Sequence, residues 1–212
     1  MESRSLDIII GKGPSARTIQ LELPPFTLIG ATTRVAMISS PLRSRFSGGV
    51  FKLEFYNINE IISIIKRSAN ILGVPLEKNA AQTIAERSRF TPRTANYLLK
   101  RARDYAQINK KGIDQNVVDE AFKLLGIDNV GLNASDKLLL ETIAKKFNGG
   151  PVGLNTLAAS LSEEEATIEE FNEPYLLQMG FIERTPRGRV LTKLAYEHLG
   201  LDLPKERQEK LL

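Results

Sequence analysis

The sequence predicts a mixed α/β chain, mostly helical, with its short strands confined to the two ends. Three observations predict it. Near the start, apolar residues alternate at period two, with Ile19, Leu21 and Leu23 on one side of 18–23. From Asn57 the apolar spacing becomes helical and stays so for most of the chain. Close to the end, two short apolar runs bracket the turn sequence Thr185-Pro-Arg-Gly188, which reads as a hairpin.

Taken in order, 6–10 is an apolar run, Gly11-Lys-Gly-Pro14 is turn chemistry, and 18–23 closes a hairpin with a somewhat long loop. Pro24-Pro25 stops it, and 26–30 (FTLIG) reads as a short buried strand ended by the polar Ala31-Thr-Thr-Arg34. Ser40-Pro41 supplies a cap and a first-turn proline for a short helix carrying Leu42, Arg43, Arg45 and Phe46. A further strand is expected over 50–55. Asn57 with Glu60 forms a capping-box start to a helix that Gly73 stops. Helices follow over 77–88, from Thr91-Pro92 to Lys111-Gly112, and over 114–125, which makes a small antiparallel bundle.

After a linker over 126–132, Ser135-Asp136 is expected to cap a helix running to Phe147, and 154–161 to form a short one. Ser162 with Glu165 reads as another capping box, opening a helix that Pro174 should kink or break. The hairpin over 181–191 comes next, and Thr192 caps a last helix. Three helices followed by a two-stranded hairpin is the winged-helix arrangement. The expected domains are therefore 1–56, 57–130 and 131–205, with 206–212 a frayed tail.

Composition narrows the chemistry. With no cysteine, disulfides, thiolate catalysis and Cys-ligated metals are excluded. A single histidine, His198, rules out a multi-histidine metal site and argues against a Ser-His-Asp triad, and it reads as a surface or packing residue. No apolar run approaches the roughly 20 residues of a membrane span, and the start lacks the marks of a signal peptide, so a cytoplasmic protein with no membrane partner and no metal site of its own is expected. The net charge of +4 is uneven: 1–56 and 57–130 are net basic, whereas 131–212 is net acidic. That is only a weak pointer to a polyanionic partner.

One order of features is more specific. A strand ending in Gly30-Ala-Thr-Thr-Arg34, a turn presenting Arg43 and Arg45 ahead of Phe46, and a bundle whose third helix opens Thr91-Pro92-Arg93 match the back half of an AAA+ ATPase core. Phosphoryl transfer needs fixed positive charge at the developing equatorial oxygens, and the planar, permanently charged arginine fork suits that task. The segments LDIIIGKGPSARTIQLELPPFTLIGATTR, SSPLRSRF, TPRTANYLLKRARDYAQ, GGPVGLNTLAASL, EPYLLQMGFIERTPRGRVLT and AYEHLG closely resemble the RuvB family of Holliday-junction branch-migration motors. The likeness runs from Leu6 to Gly200 with every block in order.

The resemblance implies the C-terminal part of an AAA+ large domain, an AAA+ helical lid and a winged-helix domain. It implies a homohexameric ring that hydrolyses ATP with Mg²⁺, pumps double-stranded DNA from a Holliday junction, and works with RuvA and RuvC. Thr33 then resembles the sensor threonine and Arg45 the arginine finger reaching a neighbouring subunit, while Tyr56 and Arg93 look like lid-side ATP contacts. Arg184 and Arg189 occupy wing positions that meet the DNA backbone, and Ile19 and Leu21 are the apolar knobs that dock on RuvA. The acidic run Glu163-Glu164-Glu165 argues for the wing rather than the adjacent helix as the DNA contact.

The chain departs from the pattern. No G-x-x-x-x-G-K-[ST] loop and no acid-ended apolar strand occurs in its 212 residues, so neither ATP nor Mg²⁺ is expected to bind well to this chain alone, and hydrolysis is not expected of it. Ser47-Gly-Gly49 adds one residue beside Arg45, and Phe90 stands where the family usually has glycine. The alternative readings are a non-catalytic adaptor that binds DNA or RuvA, and a winged-helix transcription regulator.

Overall fold

A computed structural model describes residues 4–11, 13 and 17–203. The expected turn 11–14 falls largely outside the described residues, and so does the tail from 204. The chain divides into two compact units, Met1–Leu53 and Glu54–Leu212.

In the first unit, β1 (Ser5–Ile10) pairs antiparallel with β2 (Arg17–Glu22) as the expected hairpin, in a register that sets Ile8 opposite Ile19 and Leu6 opposite Leu21. A single 3₁₀ turn, Val35–Met37, precedes the short helix α1 (Ser40–Arg43). The cap of α1 is Ser39 rather than Ser40, its side chain makes no capping bond, and the helix stops before Arg45. Two expected strands are absent. Residues 26–30 and 50–55 are irregular and exposed, with Ile29 at 88% and Leu53 at 89% exposure. A strand buried on both faces takes its hydrogen bonds and its cover from neighbouring strands, and no described segment lies beside these two to provide them. No described residue before Ile61 is buried.

The second unit holds two hydrophobic cores. The bundle consists of α2 (Ile58–Ile71), α3 (Lys78–Glu86), α4 (Pro92–Ile108) and α5 (Gln115–Leu124). Helix α2 begins at the expected capping box: Asn57 Oδ1 accepts from the Glu60 N–H at 3.0 Å, and the Asn57 N–H donates to Glu60 Oε2 at 2.8 Å. Thr91 and Asp114 cap α4 and α5, each accepting from the N–H three residues on. Ile61, Ile65, Ile84, Leu98, Leu99 and Phe122 are fully enclosed at the centre, and burying side chains of this size supplies most of the bundle's stability.

The second core lies within α6 (Ala134–Lys146), α7 (Leu154–Leu161), α8 (Glu165–Thr167), a π turn over Ile168–Asn172, α9 (Glu173–Gln178), the hairpin β3 (Ile182–Thr185) and β4 (Gly188–Leu191), and α10 (Lys193–Leu199). Three expectations change in detail. The cap of α6 is Asn133, which closes a capping box with Asp136 through bonds of 2.9 and 3.0 Å, so Asp136 is the reciprocal member and Ser135 is not the cap. Ser162 does not open a capping box. Its left-handed backbone, φ 56°, ends α7, whereas a cap needs extended geometry. The break expected at Pro174 takes the form of the π turn just before it, after which the proline sits in the first turn of α9. Thr192 caps α10 as expected. No helix among the described residues is long and apolar enough to cross a membrane.

Candidate nucleotide-facing turn and wing

The sequence-selected residues fall into three places. In the first unit, Thr33 and Arg45 are exposed and lie on irregular segments. The Phe46 ring lies over Gly30, where an added side-chain carbon would come within 3.6 Å of it. That contact sets the turn bearing Arg45 against the segment that leads to Thr33. The neighbouring Thr32 hydroxyl accepts from the Arg34 N–H at 3.0 Å, which fixes the local bend. Ile19 and Leu21, 46% and 45% exposed, share one face of the hairpin with Ile8 and Leu6, and together they present an uncovered apolar stripe.

The second place is the turn joining α3 to α4. Tyr56 is exposed, and its N–H donates to the Phe90 carbonyl at 3.3 Å. Arg93, also exposed, stands in the first turn of α4. Tyr56 and Arg93 are thus both tied to the same turn through the backbone. Arg89 and Phe90 both have left-handed backbones, φ 55° and 53°. That conformation costs a residue with a Cβ about 1–2 kcal/mol and explains why glycine suits position 90.

The third place is the hairpin. Arg184 and Arg189 are cross-strand partners, and both turn onto Glu173, whose carboxylate is completely buried. Arg184 donates from Nε to Glu173 Oε2 at 2.8 Å and reaches Glu169 at 3.5 Å, keeping 45% of its side chain exposed. The Arg189 side chain is only 14% exposed. Its Nε bonds Glu173 Oε1 and its second guanidinium nitrogen stands 3.3 Å from Oε2, so the whole fork faces inward. The Arg189 guanidinium is thus directed onto the buried carboxylate. Arg187, at the hairpin tip, is exposed. Gly188 at that tip has φ 129°, and a Cβ there would lie 2.3 Å from the Val152 carbonyl oxygen, so only glycine lets the hairpin close onto Val152.

Two functional candidates were not visible to sequence reasoning, Glu173 and Arg89, because each meets its partners only in three dimensions. His198 is a packing residue as expected: Nε2 lies 3.0 Å from Asp128 Oδ2 and the ring stands beside Phe181. Among the described residues no group of three or more acidic or histidine side chains could hold a metal ion.

A helical bundle with an arginine in the first turn of its proline-initiated third helix, continued by three helices and a wing, defines the lid and winged-helix portion of an AAA+ protein. Three family models match in chain order: the Holliday junction DNA helicase RuvB P-loop domain over 1–53, the RuvB AAA lid domain over 56–128, and the RuvB C-terminal winged helix domain over 129–200. Among solved structures, the RuvB Holliday junction branch migration motor of Thermotoga maritima is 50% identical, with a TM-score of 0.80 over 86% of this chain and 61% of that one. Two point variants of the same protein match at 50% and 49% identity, each with a TM-score of 0.80 over 87% of this chain, covering 61% and 62% of theirs. The chain belongs to the RuvB family. It spans about 61% of the length of the solved relatives it matches.

Proposed function

We propose that this chain is part of a ring-shaped, ATP-driven motor that moves double-stranded DNA at Holliday junctions, and that its winged-helix hairpin grips the DNA backbone. The observation that carries the reading is the guanidinium-bearing hairpin on a domain continuous with an AAA+ lid. In the intact motor Thr33 senses the nucleotide's terminal phosphate, Arg45 reaches the nucleotide of the next subunit in a homohexamer, and Tyr56 and Arg93 meet base and phosphate from the lid. Bound ATP with Mg²⁺ supplies the phosphoryl group whose loss drives the cycle. The side chains of Tyr56 and Arg93 fit the base and phosphate of such a ligand, whereas the lysine loop and the acidic pair that would hold its metal are not among these 212 residues. By itself this chain does not hydrolyse ATP. The apolar stripe around Ile19 and Leu21 docks on RuvA, RuvC joins at resolution, and the assembly works in the cytoplasm.

For the grip, Arg184 and Arg187 meet phosphates, while Arg189, drawn inward by Glu173, stiffens the hairpin behind them. Contact with phosphates alone gives weak, sequence-independent binding whose logarithm falls with the logarithm of salt by about 0.9 per phosphate. Anisotropy titrations of labelled duplex and four-way junction across a salt series test this. Arg184→Ala with Arg187→Ala flattens the slope by roughly 1.8 if each meets one phosphate. An unchanged slope places the DNA elsewhere, and preference for one base sequence favours a transcription regulator instead. Loss of co-elution with RuvA on Ile19→Asp with Leu21→Asp tests the hairpin; retained co-elution removes that assignment.

A further inference from the structure

Ser88-Arg89-Phe90, between α3 and α4, leaves the bundle and enters the winged-helix domain. Arg89 donates from Nε to the Gly131 carbonyl at 3.1 Å and pairs through its second guanidinium nitrogen with Asp136. Its guanidinium carbon lies 5.0 Å from the centre of the Tyr175 ring and 5.9 Å from that of Phe171. Phe90 packs against the second core, not the first.

The receiving side is fixed in advance. Asp136 is fully buried, and its other oxygen accepts from Asn172 Nδ2 at 2.8 Å. The Tyr175 hydroxyl donates to the Val130 carbonyl at 2.5 Å, which ties α9 to the linker that carries Gly131. At Gly131, φ 83°, a Cβ would stand 2.6 Å from the Arg87 carbonyl oxygen, so the two backbones are in direct contact. The same short turn carries the carbonyl that holds Tyr56, and four residues beyond Arg89 it presents Arg93.

We propose that Arg89 is a positioning residue that clamps the turn bearing Arg93 onto the winged-helix domain, so that the lid and the DNA-gripping domain turn as one body. The transmission this provides rests on reading the chain as part of a DNA motor; the clamp itself does not. A planar fork suits the task because one guanidinium satisfies the buried carboxylate, reaches a backbone carbonyl and stacks on two rings at once, which a lysine cannot do.

Because the chain has no cysteine, Lys100→Cys on α4 and Lys193→Cys on α10 give two clean sites for spin labels. Double electron–electron resonance on the labelled 212-residue chain then reads the separation between the two domains. The parent chain gives one narrow distance peak. In Arg89→Gln the peak is lost to a broad distribution while helical circular dichroism is retained. Should Arg89→Gln lose the winged-helix fold, Arg89→Lys serves: it keeps a positive charge near Asp136 and lacks the fork, so the chain stays folded and the peak still broadens. A role confined to local stability lowers the melting temperature and leaves the peak narrow in both variants, and that result overturns the clamp. The duplex titrations above judge the motor reading without these variants, and the distance measurement judges the clamp without DNA or nucleotide.

Discussion

Replacing Glu173 by alanine removes the carboxylate that two wing arginines share, and the structure states how unequal the consequences are. The Arg184 side chain is 45% exposed and can turn to water, so its loss of a partner resembles that of a surface pair, about 0–1 kcal/mol. The Arg189 side chain is 14% exposed, and its donors face the space the carboxylate vacates. An uncompensated buried charge costs about 3–5 kcal/mol, and the lower end applies because a fraction of Arg189 reaches solvent. The expected loss is therefore about 3–4 kcal/mol, the greater part from Arg189. For a domain of about 60–100 residues, a melting temperature falls by about 4–8 °C per kcal/mol, so the winged-helix domain should melt roughly 12–32 °C lower. Calorimetry that separates the two cores of the second unit measures this, and a cycle with Arg189→Leu isolates the pair. The double variant should recover about 2 kcal/mol or more relative to the sum of the singles, since removing both charges leaves nothing buried and unpaired. Duplex binding should move the other way, tightening at low salt, because the hairpin loses its counter-charge. A Glu173→Ala loss below about 1 kcal/mol, with additive singles, would refute the view that Arg189 is held inward by a buried charge.

Three further outcomes follow from the same geometry. Gly131→Ala pushes a methyl group into the Arg87 carbonyl at a left-handed backbone position, and should cost about 2–4 kcal/mol in urea melts; a loss within 0.5 kcal/mol would mean the two backbones are not in contact. Phe90→Gly relieves about 1–2 kcal/mol of left-handed strain but gives up the packing of a half-buried ring on the second core, up to about 1.5–3 kcal/mol, and adds about 0.5–1 kcal/mol of chain entropy. It should therefore destabilise, and a stabilised variant in thermal melts would show that Phe90 buries little. Burial pushes the Tyr175 hydroxyl up from its ordinary 10 to about 12, with the nearby Arg89 opposing. The folded state then holds a proton that the unfolded chain releases, so this contribution is whole below pH 10 and is lost as pH rises toward 12. In a titration at the phenolate absorbance, Tyr175→Phe should take away one late-ionising group; a late phase that the substitution leaves unchanged would contradict it.

What the sequence made legible was local. Asn57 with Glu60, Thr91 before Pro92, and Thr192 each announce a helix start, because a cap acts on a backbone N–H three residues away and needs no other part of the fold. Apolar spacing then showed the buried faces of α2 and α4. The errors arise where a distant neighbour or a single backbone angle decides. FTLIG has the composition of a buried strand, but a strand's burial belongs to its neighbours. Asn133 and Ser135 are equally good caps by type, and the extended backbone at Asn133 chooses between them. Pro174 announced a break without saying that it would be a π turn. Arg89 and Glu173 gave no signal in the sequence; Asp136 lies 47 residues from the first, and Arg184 and Arg189 lie 11 and 16 residues from the second. No spacing rule encodes such pairs.

The buried polar residues also share a direction. Among the described residues the buried polar or charged side chains are Thr83, Ser88, Asp136, Asn172 and Glu173. Four of these belong to one series of neighbours and contacts. Ser88 adjoins Arg89, Arg89 pairs with Asp136, Asp136 accepts from Asn172, and the next residue, Glu173, holds both arginines of the hairpin. Burying charge in a domain this small is costly, and an apolar core of equal volume is often as stable or more so. A fold that keeps two buried carboxylates, each matched to arginine, and joins them through consecutive residues at the end of a π turn gains fixed geometry from them. Charged pairs of this kind tolerate little sliding, whereas apolar packing can readjust. The path runs from the turn that presents Arg93 to the hairpin that presents Arg184, so buried polar contacts join the proposed nucleotide-facing and DNA-facing surfaces.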